Sequence, residues 1–539
     1  MKKTLLLCLG IFLIPIISYA QEQDAWVFFT DKENVDASIS NPISILTQRA
    51  IDRKTNDGIA IDERDVPVNE VYITQIKQQT GITVFAKSKW FNALHVRGTE
   101  SDITALESLP FVNNIDFADK SLNTSSRAQA IQDKFQIEDT SVVFNYGNTQ
   151  NQVEMINADD LHLADYTGEG VFVAVMDSGF SNVDTMDGFQ RLRSNGDLLG
   201  GYDFVDKTSD VYAFNGNDHG TKVLSDMAGF VQDEFVGTAP DASYYLFRTE
   251  DIFSENPLEE SYWVEAAERA DSLGVDLINT SLGYRVFDNP AYDYTPEQMD
   301  GETAFITRGA SIAAEKGIVV VISAGNAGAT AWLTVGAPAD AANVLSIGAV
   351  DADEVYASFS SQGSIAQPTQ KPDIVARGRD TYVIADNDAI VQNNGTSFSA
   401  PIMTGGIASL MQALPDATPM QIKQFVIESG SQFSNPDNLL GHGIPDLQLA
   451  LDIGLSVLEQ ELQDFELYPN PVESNLTVRF PFGIEAAELR LFDVLGKQVL
   501  SLPITNSTNR INTSAFASGI YLLQIKSATI SKTIKLIKS

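Results

Sequence analysis

The sequence predicts an α/β protein built on a doubly wound, mainly parallel sheet, preceded by a small α+β unit and followed by a small β-sandwich. Three observations lead there. The middle of the chain carries nearly continuous apolar runs, "GVFVAVMDSG", "GVDLINTSLG", "GIVVVISAGN" and "NVLSIGAV", the pattern of parallel strands covered on both faces. Between them lie helical patterns, "YWVEAAERADSLG" and "AFITRGASIAAEKG", each closing on a glycine suited to a left-handed C-terminal cap. From Glu466 onward the texture changes to short alternating segments separated by turn residues, as in a sandwich.

Taken in order, residues 1–20 combine a basic start at Lys2 and Lys3, an apolar run and a small-x-small ending at Ser18 and Ala20. That is the anatomy of a secretory signal peptide cut before Gln21. The apolar run is too short for a membrane span and is broken by Pro15. Cys8, the only cysteine, lies inside it, preceded by Leu7 where a lipoprotein signal carries a small residue. The mature chain is therefore expected to hold no disulfide, no cysteine-ligated zinc and no thiol nucleophile.

Residues 21–128 form the first expected unit. "DAWVFFTDKENV" reads as a strand, "ITVFAKSKWFNALHVRG" as paired strands, and "SDITALESLPFVNNIDFA" as helix then strand, ending near Asp119. The polar stretch "KSLNTSSRAQAIQD" reads as an exposed linker. The α/β domain is placed at 129–455, a linker at 456–465 and the sandwich at 466–539. A chain of 539 residues suits about three folded units. Its 72 acidic and 35 basic side chains give a formal charge of -37, which repels phosphate backbones and anionic lipid and excludes nucleic acid as a partner. The sandwich itself carries eight basic and five acidic side chains, so the acidic excess lies upstream of it.

In open α/β sheets function gathers at the carboxyl ends of the strands. There the sequence places Asp177 in "VAVMDSG" and Asn326 in "VISAGN"; His219 in "NDHGT" and Ser397 in "NNGTSFSAP" stand in polar turns. Each has an ordinary reading. An Asp starts turns, an Asn tolerates left-handed backbone, most histidines are structural, and Ser or Thr caps helices. Chemistry joins them. A hydroxyl attacks a carbonyl only when a neutral imidazole takes its proton, and that imidazole needs a carboxylate to fix its tautomer. The resulting oxyanion needs fixed donors, which an amide side chain and the Ser397 backbone N–H at a helix N-terminus supply.

The motifs Asp177-Ser178-Gly179, His219-Gly220-Thr221, Ser281-Leu282-Gly283, Ser323-Ala324-Gly325-Asn326 and Gly395-Thr396-Ser397-Phe398-Ser399-Ala400-Pro401, in this order, resemble those of subtilisin-like serine proteases. The resemblance covers roughly Asn151 to Ile453 and includes "YASFSSQGS" and "KPDIVARG" as connectors. It departs at Arg377, where the family commonly has proline. It implies a secreted serine endopeptidase with Asp177, His219 and Ser397 as the triad and Asn326 as oxyanion donor. Ser399 would be turned away. The helix behind Ser397, "TGGIASLM", is expected to be buried centrally. Sedolisins, relatives with a glutamate base, fit less well because His219 is present. Ser281, Leu282 and Gly283 resemble the edge that pairs with an extended peptide, with Ala324 and Gly325 beside it. No cofactor is implied for the chemistry. Structural calcium is common among relatives, and no ligands can be named, since no D-x-D-x-D-G loop is present.

The first unit resembles the inhibitory propeptides of secreted subtilases, which makes the chain's own propeptide a partner. The tail resembles the C-terminal sorting domain of type IX secretion substrates, with Tyr468-Pro469-Asn470-Pro471, Ser518-Gly519-Ile520-Tyr521 and the ending "KTIKLIKS", which implies the secretion machinery as a second partner. The resemblance thus implies a secreted or surface-held monomer acting on polypeptides. Two rival readings are a catalytically silent relative serving as a binder or scaffold, and a protease whose tail is a substrate-binding adhesin.

Overall fold

The computed structural model describes residues 22–122, 146–462, 465–480, 484–505, 509–527 and 531–539. The expected signal peptide and its cut, and all but the start of the polar linker after Asp119, lie outside the described residues.

A seven-stranded sheet forms the centre, in the order Ile374–Arg377, Leu345–Val350, Val319–Ser323, Leu277–Thr280, Phe172–Asp177, Ser243–Arg248, Leu198–Asp203. Every neighbouring pair is parallel. Side chains alternate across it. Val173 and Val175 enter one apolar cluster, Ala174 and Met176 the other, so both faces are dry and a continuous apolar run is what each strand requires. Helices His219–Ala228, Thr396–Ala413 and Pro419–Glu428 contribute to the first cluster, and Leu258–Leu273 and Phe305–Glu315 to the second. The last two end as expected, with Gly274 at φ +83° and Gly317 at φ +81°.

Four of the seven strands were legible as apolar runs. Leu198–Asp203 hides behind two glycines in "LLGGYD", and "SYYLFR" is mixed in polarity. "KPDIVARG" is a correction: it is more than a connector, because Ile374–Arg377 is fully buried and pairs in register with Ile347–Val350 as an edge strand. At its end the Arg377 guanidinium donates to Asn151 Oδ1 at 2.8 Å and to the Asp380 carbonyl at 2.6 Å.

The first unit is a four-stranded antiparallel sheet, ordered Thr83–Ser88, Ala93–Thr99, Glu22–Phe29, Val112–Phe117. It lies on helices Leu258–Leu273 and Phe305–Glu315. Trp26 stacks on Phe305 with ring centroids 4.6 Å apart, and its indole N–H donates to Ser261 at 2.8 Å. Glu268 accepts hydrogen bonds from the Ser88 hydroxyl and from the backbone N–H groups of Lys89 and Trp90. Helix Gln48–Asn56 was not legible, because the face it buries is charged. Lys54 is 1 % exposed and sits 2.7 Å from Asp271 and 3.4 Å from Asp65, while Lys316 lies 2.7 Å from Asp65 and 2.9 Å from Asp62.

The tail consists of two antiparallel sheets sharing one apolar core, which contains Leu476, Leu489, Ile511, Leu523 and Leu536. The linker expected at 456–465 is largely helical. Helix Leu447–Leu462 runs through most of it, since "LALDIGLSVLEQEL" keeps apolar residues at helical spacing with no breaker except Gly454.

Candidate active site

Strand Phe172–Asp177 delivers Asp177, fully buried, to the carboxyl edge of the sheet. Its Oδ1 lies 2.7 Å from His219 Nδ1 and also accepts the Ser178 backbone N–H at 2.7 Å. An ionised carboxylate only accepts, so Nδ1 carries the proton and the basic lone pair belongs to Nε2. His219 opens helix His219–Ala228, and its backbone N–H is taken by Asn217 Oδ1 at 2.7 Å. Gly220 makes the approach possible: a Cβ there would stand 2.4 Å from the Gly179 carbonyl oxygen and 2.9 Å from Asp177 Cβ.

Ser397 is the second residue of helix Thr396–Ala413, whose first fifteen residues, Thr396 to Leu410, are all buried. Its hydroxyl donates to the Ser281 carbonyl at 3.3 Å, and the Ser281 hydroxyl donates back to the Ser397 carbonyl at 2.8 Å. The Phe398 ring lies 5.8 Å from that of His219, which brings the helix start beside the imidazole. Ser399 is fully buried and donates to the Thr396 carbonyl at 3.0 Å.

Asn326 follows strand Val319–Ser323. Its amide oxygen accepts the backbone N–H of Thr396 at 2.9 Å and the Thr396 hydroxyl at 3.0 Å. Gly395, at φ +154° and ψ +149°, holds a backbone conformation that other side chains rarely adopt and so permits the turn. A cleft of about 640 Å³, including space open to solvent, is lined by Ser397, Asn326, Ala324, Gly325 and the segment Ser281–Gly283. All the site residues expected from sequence therefore fall at one end of the sheet. Those not foreseen are Thr396, Asn217, Glu250 and Arg285. Asn217 carried a signal, being an amide two residues before a helix start.

The model for the subtilase family matches residues 168–443. The chain belongs to the subtilase family. A model described as the peptidase S8 propeptide domain of Bacteroidota matches residues 24–134, and one described as a secretion system C-terminal sorting domain matches residues 466–539. This subtilase is 30% identical over 275 residues to subtilisin DY of Bacillus licheniformis, covering 50% of this chain and 87% of that one. It is 32% identical over 302 residues to subtilisin E of Bacillus subtilis, covering 55% and 70%. A solved structure, MycP1 from Mycobacterium smegmatis, matches at 23% identity with a TM-score of 0.45, covering 60% of this chain and 89% of that one.

The subtilase is thus a serine endopeptidase with a propeptide domain, and its C-terminal sorting domain indicates type IX secretion to the medium or the cell surface. Among the described residues no helix is long and apolar enough to cross a membrane, and no group of three or more His, Cys, Asp or Glu side chains is arranged to hold a metal ion.

Proposed function

We propose that this subtilase is made as an inhibited precursor and hydrolyses extended polypeptides through Asp177, His219 and Ser397, with Asn326 as oxyanion donor. The observation that carries the reading is the 2.7 Å contact between His219 and Asp177 beside the start of helix Thr396–Ala413, which carries Ser397. His219 Nε2 takes the Ser397 proton as Oγ bonds to the substrate carbonyl carbon. The carbonyl electron pair moves to oxygen, where the Asn326 amide and the Ser397 backbone N–H stabilise it. The C–N bond then breaks and the imidazolium gives its proton to the departing amine. Water repeats the sequence on the acyl-enzyme and restores the serine. This chemistry calls on no cofactor.

Substrate backbone pairs with Ser281, Leu282 and Gly283, while Ala324 and Gly325 form the facing wall. The N-terminal unit acts as the inhibitor until it is cut away. Export proceeds across the inner membrane by the signal peptide and across the outer membrane by the sorting domain. A serine-directed fluorophosphonate tests the reading: the parent protein is labelled and Ser397→Ala is not. A labelled Ser397→Ala protein, or an unlabelled, folded parent freed of its N-terminal unit, overturns it.

A further inference from the structure

Most buried cations in this protein come with carboxylates, and Arg377, which does not, is met by Asn151 Oδ1 and the Asp380 carbonyl. Arg53 and Lys54 hold Asp271, Arg248 holds Asp203, Lys316 holds Asp65, and Lys371 holds Asp373. Arg285 has neither kind of partner at Nη1. It lines the cleft beside Asn326 and Ser397, its Nη1 is shut off from solvent without a hydrogen-bond partner, and no carboxylate lies within 4.0 Å of it among the described residues. Its guanidinium lies 5.8 Å from the ring of Trp332, whose indole N–H is likewise buried and without a partner. Two donors on neighbouring side chains are therefore unmet. Leaving a buried donor unmet is costly, and in a chain of formal charge -37 acceptors are plentiful.

We propose that Arg285 is a specificity-determining residue that binds an acidic side chain of the substrate, on the residue that supplies the scissile carbonyl. The inference rests on Ser397 being the nucleophile, which fixes where that carbonyl lies. A carboxylate entering between Ser397 and Arg285 gains the charge-assisted hydrogen bond that the free enzyme lacks, and the indole N–H of Trp332 supplies a second donor nearby. Glutamine has the same length without the charge, so it is the informative competitor. Glu250 lines the same cleft. If its sign governed instead, lysine or arginine would be favoured at that position.

The test is a peptide library varied at that position, with kcat/KM measured for the parent, Arg285→Gln, Arg285→Lys and Arg285→Glu, each normalised to the fraction labelled by fluorophosphonate. The parent is expected to prefer glutamate over glutamine by about 10- to 100-fold. Arg285→Lys keeps part of that ratio, Arg285→Gln brings it close to one, and Arg285→Glu reverses it in favour of lysine. A labelled parent with no acidic preference, or with a basic one, overturns the specificity inference and leaves the nucleophile standing. A folded parent, freed of its N-terminal unit, that is neither labelled nor active overturns both. Should the variants fail to fold, the parent's own ratio decides.

Discussion

The side-chain oxygen of Asn326 is held by both donors of Thr396, the backbone N–H at 2.9 Å and the hydroxyl at 3.0 Å. With its oxygen fully engaged, the amide can offer the cleft only its NH2 group. Asn326→Ala is expected to lower kcat by about 100- to 1,000-fold with little change in KM, as for a donor used mainly in the transition state. Steady-state kinetics on a peptide substrate checks this; an unchanged kcat removes Asn326 from the oxyanion hole.

Thr396 provides a milder version of the same test. Thr396→Val keeps the shape and the backbone N–H but deletes the hydroxyl that serves both Asn326 and the Gly325 backbone N–H, the latter at 3.0 Å. A loss of about 3- to 30-fold in kcat is expected, smaller than that of Asn326→Ala because one donor still holds the amide. A double-mutant cycle should show the two effects to be strongly non-additive.

Ser397→Ala and Ser399→Ala, made separately in the full chain, should diverge. The first leaves a folded, uncut and unlabelled precursor. The second matures, because the Ser399 hydroxyl is sealed in the helix and bonded to the Thr396 carbonyl. Gel mass, circular dichroism and fluorophosphonate labelling read the outcome. Equal behaviour of the two variants would mean that this turn only caps a helix.

Glu268 sets a pH dependence on how the propeptide is held. Burial pushes its carboxyl up from the ordinary 4.5 to about 7, outweighing Lys89 and the hydrogen bonds from Ser88, Lys89 and Trp90. A carboxyl whose pKa is raised by folding contributes stability that is complete below the unfolded value and is lost as pH rises through the folded one. Between pH 5 and 8 the Ser397→Ala precursor should therefore lose about 1–3 kcal/mol that Glu268→Gln in the same background does not lose. Melting midpoints of the two proteins across that range measure the difference. Parallel curves would refute it.

Removing residues 466–539 should leave peptide hydrolysis intact and abolish export, because the site closes between residues 177 and 397. Fractionation of the producing cells decides between an address and an adhesin. Normal export of the truncated protein excludes the first. Loss of hydrolysis by a folded truncate favours the second.

The sequence showed the site more completely than the fold around it. Asp177 was legible because it is the first polar residue of an apolar run, and Asn326 and the segment Ser281–Gly283 because they stand just past the ends of two others. Edge strands lack that contrast, and so Leu198–Asp203 escaped notice and Ile374–Arg377 passed for a connector. Helix Gln48–Asn56 failed for a different reason. Periodicity finds apolar faces, and this helix buries Arg53 and Lys54 against Asp271. Arg285 could not be singled out, and Thr396 was legible only as part of the Gly395-Thr396-Ser397 motif, since the roles of both depend on neighbours far away in the chain.

The cluster of Lys54, Asp65, Asp271 and Lys316 has an outcome for how the two units come apart. All four are nearly sealed, at 1 % exposure or less. Ionic strength acts on charges that mobile ions can reach, over a distance of about 8 Å at physiological salt, and scarcely touches charges enclosed in protein. A brackish medium therefore damps the long-range repulsion of this acidic chain but leaves the clasp closed. Lys54 and Asp65, 3.4 Å apart, leave together with one unit, whereas Asp271 and Lys316 remain with the other and lose the partners that matched them, so they cannot stay dry. Separation is a wetting event, gated by the entry of water.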